Sequence, residues 1–177
     1  HMTYKLLKRM NSLQYYRGNN ITSIKHALVL MGDDEVRRWV MLILLRDMSN
    51  TKSDEQIRSA LIRAFMCEKM AREAGRQKLS SAAYSTGMLS ILSNSAANLK
   101  DIVNNIHIPS QVRDALSGKD TFLKRLLDIA ISYESGNWNK LEYIISYSVP
   151  ELGLKLLPGL YMMSVSAADE MLSNEHT

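Results

Sequence analysis

The chain has a single cysteine, Cys67, in its 177 residues. No disulfide can form within it, so the small cross-linked secreted scaffolds are excluded and a reducing, cytoplasmic compartment is the expectation. Prolines number three and glycines eight. Strand patterns are scarce, while helix stops and starts recur. No run of apolar residues is long enough to cross a bilayer; "VMLILL" (40–45) is only six residues long. No signal-peptide pattern precedes the first helical segment. Histidine is also short: of four, one belongs to His1-Met2, which reads as an expression-tag remnant.

What is present is ordinary globular material, 46% hydrophobic and 23% charged, in a length that suits one domain with a real core. The net charge is +4, unevenly placed. Residues 1–46 hold eight Lys/Arg against three Asp/Glu, and the rest fourteen against fifteen. A basic end suits nucleic acid, a nucleotide or an acidic protein surface, and suits a solvated face equally well.

The periodicity predicts about nine or ten helices. Tyr4–Tyr16 carries Leu6, Leu7, Met10 and Leu13 at helical spacing, and "RGNN" (17–20) breaks it. Thr22 or Ser23 caps a short helix that Gly32 ends. The next, from about Glu35 to Met48, places Val36, Trp39, Val40, Ile43 and Leu44 on one face. Met41, Leu42 and Leu45 fill in the rest, so it is expected to be the central, most buried helix. Ser53 and Gln56 form a capping box for a helix that stops at Gly75, with Ile57, Leu61, Ala64, Phe65, Cys67 or Glu68, and Ala71 turned inward. Ser80 or Ser81 caps a helix holding "STGMLSILSNS" (85–95), and a short one follows near 99–103. Pro109 suits the first turn of the next, Asp120 caps "TFLKRLLDIAISYES", Asn137 caps "WNKLEYIISYS", and Pro158 opens the last, which reaches about Leu172. No repeat or linker interrupts this order. The expected fold is a single all-α bundle over residues 3–172, with residues 173–177 a disordered tail.

Chemistry-bearing clusters are thin. His26 and His107 stand alone, and His176 lies in the tail, so no ligand spacing for a metal exists. Cys67 sits mid-helix with no histidine or helix start to lower its pKa, and reads as a small buried residue. "GDDE" (32–35) reads as a helix start, with acids at the positive end of the dipole. No phosphate loop and no Ser-His-Asp order is present. Lys5, Lys8, Arg9 and Arg17, interleaved with tyrosines, form the one basic segment that suggests partner contact.

The stretch "LLKRMNSLQYYRGNNITSIKHALVLMGDDEVRRWVMLILL" resembles the HD-related output domain family, HDOD. The resemblance runs through Leu6, Leu7, Asn11, Ser12, Tyr15 or Tyr16, Ile21, Ser23, Ile24, Gly32, Val36 and Trp39. It continues through "ALIRAFMCEKMA" (60–71), "TGMLSILS" (86–93), "IPSQVRDALSGK" (108–119) and "AISYESGNWNKLE" (130–142), over about residues 4–172. The last two segments are similar to HDOD modules that follow EAL, cyclic-di-GMP phosphodiesterase-like domains in bacterial signalling proteins. In the related catalytic HD phosphohydrolases, the frame at 87–92 carries a metal-binding His-Asp pair. Here those positions read Ser90 and Ile91. The resemblance therefore implies an HD-like helical scaffold without the metal centre, no cofactor and no enzyme activity. It implies a regulatory module acting by protein contact or ligand sensing on an attached or separate EAL-like domain or another regulatory protein. A homodimer is possible in this reading, with no membrane role and nucleic acid disfavoured. The family has further helices ahead of the Leu-Leu segment, and the chain starts almost at that segment, so those helices are expected to be missing. Two rivals remain: a metal-dependent HD-type phosphohydrolase built on carboxylates such as Asp47, Glu68 and Glu73, and a nucleotide- or nucleic-acid-binding module using the basic end.

Overall fold

A computed structural model describes residues 23, 25–26, 29, 32–48, 53–92 and 108–173, with the side chains of residues 47 and 48 left out. Among these residues there are seven α-helices and no strand. They are α1 (Asp33–Met48), α2 (Asp54–Glu73), α3 (Ser80–Leu89), α4 (Ser110–Leu116), α5 (Phe122–Glu134), α6 (Trp138–Ser148) and α7 (Leu157–Ser173). Short 3-10 turns precede α3 (Gln77–Leu79), follow it (Ser90–Leu92) and precede α7 (Leu154–Leu156). The all-α expectation holds, with seven helices described against nine or ten expected. The segments at 4–16 and 99–103 lie outside the described residues, and of 23–31 only Lys25, His26 and Val29 are seen to be helical.

The chain divides into two compact units, one reaching Ile57 and resuming at Asp169, the other spanning Arg58–Ala168. In the first, the acidic residues Asp33, Asp34 and Glu35 occupy the opening turn of α1, where the helix dipole favours negative charge. The helix starts two residues before the predicted Glu35, with the Gly32 carbonyl accepting from the Val36 N–H. Val36, Trp39, Leu42, Ile43 and Leu45 are buried, while Val40 and Leu44 are only partly so. The indole N–H of Trp39 donates to Glu35 at 3.1 Å, satisfying the one polar atom of that ring. Arg46 pairs with Asp54 at 2.7 Å.

The capping box that opens α2 is formed as predicted: Gln56 N–H donates to Ser53 Oγ, and Ser53 N–H donates to Gln56 Oε1. The same helix ends at Gly75, whose φ of +71° lets Arg76 N–H reach back to Ala71. Three further starts differ from the expectation. α3 has no serine cap, because a 3-10 turn feeds straight into it and the Ser80 N–H already donates to Gln77. Pro109 stands just outside α4, its carbonyl accepting from Val112 and Arg113. Thr121, not Asp120, caps α5 by accepting from Lys124, while Asp120 is held by two hydrogen bonds from Arg125. Asn137 caps α6 as predicted.

The most buried helix is α3, in the second unit, rather than α1 of the first as expected. Nine of its ten residues are buried, as are Ser90, Ile91 and Leu92 after it. Seven of its ten residues are Ser, Ala, Thr or Gly, and small residues let a neighbouring backbone come close. A Cβ at Gly87 would lie 2.6 Å from the backbone of Ala64 in α2. Phe65 of α2 meets Tyr84 of α3 edge-on at 5.2 Å. On its other sides α3 packs against α4 and α5, and α5 packs on α6. The apolar stripe of α5 (Leu123, Leu126, Leu127, Ala130) repeats every three or four residues, as an amphipathic helix requires.

Candidate functional site

The frame at 87–92 is the first candidate, and it is filled. Ser90 donates from Oγ to the Gly87 carbonyl at 2.7 Å, and Ile91 is 9% exposed among core residues. Thr86 donates to the Ala82 carbonyl and Ser85 to that of Ser81. Each of these hydroxyls thus donates to a carbonyl three or four residues back in its own chain. Coordination there needs lone pairs aimed at a shared point, and an isoleucine side chain has none. Among the described residues, no three of His, Cys, Asp and Glu converge as a metal site.

The other groups singled out by the sequence are dispersed. The thiol of Cys67 is fully buried, and burial pushes its pKa well above the ordinary range, so it is held as a neutral thiol. Of the carboxylates in the phosphohydrolase alternative, Glu68 is buried and bound to Arg72 at 2.6 Å, and Glu73 is exposed. The side chain of Asp47 lies outside the described residues, as do Lys5, Lys8, Arg9, Arg17, His107 and His176. His26 is partly buried, its backbone N–H donating to Ser23.

Sequence reasoning missed a cluster that four helices bring together. Arg63 of α2 donates from Nε to Glu134 Oε2 of α5 at 2.7 Å, across 71 positions of chain. Both side chains are mostly buried, at 25% and 17% exposure. Burial raises the pKa of Glu134, and the guanidinium of Arg63 opposes that rise. Tyr161 of α7 feels the same charges: its phenol is pushed up first by burial, then by Glu134, with Arg58 and Arg63 acting the other way. Tyr161 also packs on Tyr133 at 5.0 Å between ring centres, and Tyr133 meets Trp138 edge-on at 5.7 Å. Trp138, the first residue of α6, is 60% exposed. An ion pair and a run of three rings therefore share one boundary with solvent. No local spacing announces it, because Arg63 and Tyr161 reach Tyr133, Glu134 and Trp138 from helices distant in sequence.

The surface of α6 and α7 carries further large apolar groups. Tyr143 and Tyr147 are exposed, one helical turn apart, with ring centres 5.1 Å apart and the rings tilted at 42°. Met162 and Met163 of α7 are exposed as well. Exposed apolar groups that gather into a patch mark contact surfaces, and the Tyr143–Tyr147 pair is one such gathering. No helix among the described residues is long and apolar enough to cross a membrane.

The protein-family model described as the HDOD domain matches residues 1–103. The uncharacterized protein YuxH of Bacillus subtilis is 30% identical over 142 residues, covering 78% of this chain and 34% of that protein. The cyclic di-GMP phosphodiesterase CdgJ of Vibrio cholerae is 28% identical over 142 residues, covering 80% and 33%. The chain thus spans about a third of the length of the curated relatives it matches. No solved structure matches it. With more than half its length under the family model, including the filled frame at Ser90 and Ile91, the chain belongs to the HDOD domain family.

Proposed function

We propose that the chain is a non-catalytic regulatory module in bacterial cyclic-di-GMP signalling. It acts by contact on a phosphodiesterase region, either in the same longer protein or in a partner, in an HD-like scaffold that has lost its metal centre. The observation that carries this reading is the filled frame: Ser90 is hydrogen-bonded to its own helix and Ile91 is packed in the core. The Vibrio relative, a cyclic di-GMP phosphodiesterase, supports the signalling context. The exposed rings of Tyr143 and Tyr147 support contact, since tyrosine is enriched at interface hot spots. The setting is the cytoplasm, where an unpaired Cys67 and a cyclic dinucleotide signal belong together.

The test uses the full-length protein that contains the chain. Cyclic-di-GMP hydrolysis is measured for the parent and for Tyr143→Ala/Tyr147→Ala, with the unfolding curve of each recorded in parallel. Two exposed substitutions leave the fold intact, and a several-fold change in hydrolysis is expected. Unchanged hydrolysis in a folded double variant removes α6 as the regulatory face.

A further inference from the structure

The cluster around Arg63 and Glu134 presents chemistry that a merely structural ion pair does not use. Arg63 donates from Nε to Glu134, and its two terminal nitrogens carry no other hydrogen bond among the described residues. Glu134 accepts at Oε2, and its second oxygen has no donor among those residues. The phenol oxygens of Tyr133 and Tyr161 are in the same condition. The pair therefore offers, side by side, one set of donors and one acceptor, and both reach solvent. Beside it run three aromatic rings, ending in the exposed indole of Trp138.

A base edge that answers this pattern has an N–H next to a C=O. Guanine has it, with N1–H beside O6, and adds the N2 amino group as a second donor to a carboxylate. Adenine can turn its N6 amine to Glu134 and its N1 acceptor to Arg63, but it has no second N–H to offer the carboxylate as guanine does with N1–H and N2. Uracil carries the N–H and C=O pair but a smaller ring to stack. Arginine to O6 and carboxylate to ring N–H are favourable pairings, and unpaired bases stack on exposed aromatic rings. We propose that Arg63 and Glu134 read the lactam edge of a guanine base that stacks on the exposed indole of Trp138, making this a guanine-nucleotide site. The proposal goes beyond the regulatory reading and stands apart from it, since contact regulation needs no nucleotide here. The lowering of Glu134 acidity by burial is compatible with a carboxylate that takes ring N–H donors when a base covers it.

The purified chain is titrated by calorimetry at neutral pH with GMP, cyclic di-GMP, AMP and UMP, and indole emission is followed in the same mixtures. The second tryptophan, Trp39, is 2% exposed, so quenching by a nucleotide reads Trp138. GMP and cyclic di-GMP are expected to saturate and quench, with AMP at least about tenfold weaker, the discrimination one base edge provides. Trp138→Ala is expected to abolish the quench and weaken GMP about tenfold, as loss of one stacking platform does. Glu134→Gln is expected to narrow the GMP-over-AMP preference. The proposal is overturned if GMP fails to saturate at millimolar concentration, if AMP binds as well, if UMP binds more tightly, or if Trp138→Ala binds like the parent. Because Trp138 is exposed, its loss does not threaten the fold. Failure of GMP leaves the hydrolysis assay of the full-length protein to judge the regulatory reading by itself.

Discussion

Replacing Gly87 by alanine tests the helix crossing at the frame of residues 87–92. In an unconstrained helix the change stabilises, since alanine exceeds glycine by about 1 kcal/mol in helix propensity. Here the new Cβ would stand 2.6 Å from the Ala64 Cα and N and from the Arg63 carbonyl carbon. Ordinary contact begins near 3.4 Å, so α2 and α3 must separate by most of an ångström. All three atoms belong to backbone, which cannot swing aside as a side chain does. Overpacking of this kind costs typically 1–3 kcal/mol, and the residues that would be pulled apart include Met66, Met70 and Met88, all fully buried. The net expectation is a loss of about 1–3 kcal/mol. Gly159 is the control: it lies in α7 with nothing near its would-be Cβ, and its alanine variant should gain about 0.5–1 kcal/mol. Urea unfolding followed by circular dichroism measures both. A stabilised or unchanged Gly87→Ala would refute the close crossing, and with it the account of why α3 is made of small residues.

Trp39→Ala should cost about 3–5 kcal/mol in the same assay, because the ring is 2% exposed; a loss under ~1 kcal/mol would place it on the surface. Thr121→Ala should cost about 1 kcal/mol by removing the cap on α5, and Asp120→Ala should cost less, since Asp120 makes no cap bond. Carbon-detected NMR should find Glu134 titrating above ordinary glutamates, and Arg63→Met should raise it further by removing the opposing charge. The sign of the linkage follows. A carboxyl raised in the folded state contributes stability that is complete below its unfolded pKa and is lost as pH rises through the folded one. Glu134→Gln should therefore flatten the fall in stability over that window, and an unaltered pH profile would contradict the burial of this group.

The readable parts of the fold were those set by local chemistry. Ser53 and Gln56 lie three apart and cap one helix, and Gly75 closes it, because both devices act within a few residues. Asn137 was legible for the same reason. Asp120 and Thr121 are both good caps in adjacent positions, and Arg125 decided between them by taking the aspartate. Ser80 misled because a 3-10 turn upstream supplies the hydrogen bond a cap would have made. α1 looked most central on apolar content, yet burial goes to α3, whose Ser, Thr and Gly carry little hydrophobicity but permit close approach. The candidate site was half legible. Ser90 and Ile91 announce a position without ligands, which one residue pair suffices to say. Arg63 and Glu134 meet across 71 positions, and only the packing of α2 on α5 reveals it.

The central claim, a scaffold that does no phosphoester chemistry of its own, is tested most directly on the purified chain. It is incubated with cyclic di-GMP and with bis(4-nitrophenyl) phosphate in the presence of Mg²⁺, Mn²⁺ or Fe²⁺, and products are separated by chromatography. The account predicts no product above the metal-only control with any of the three. Metal-dependent hydrolysis that disappears in Glu68→Gln, the buried carboxylate of the phosphohydrolase alternative, would contradict it.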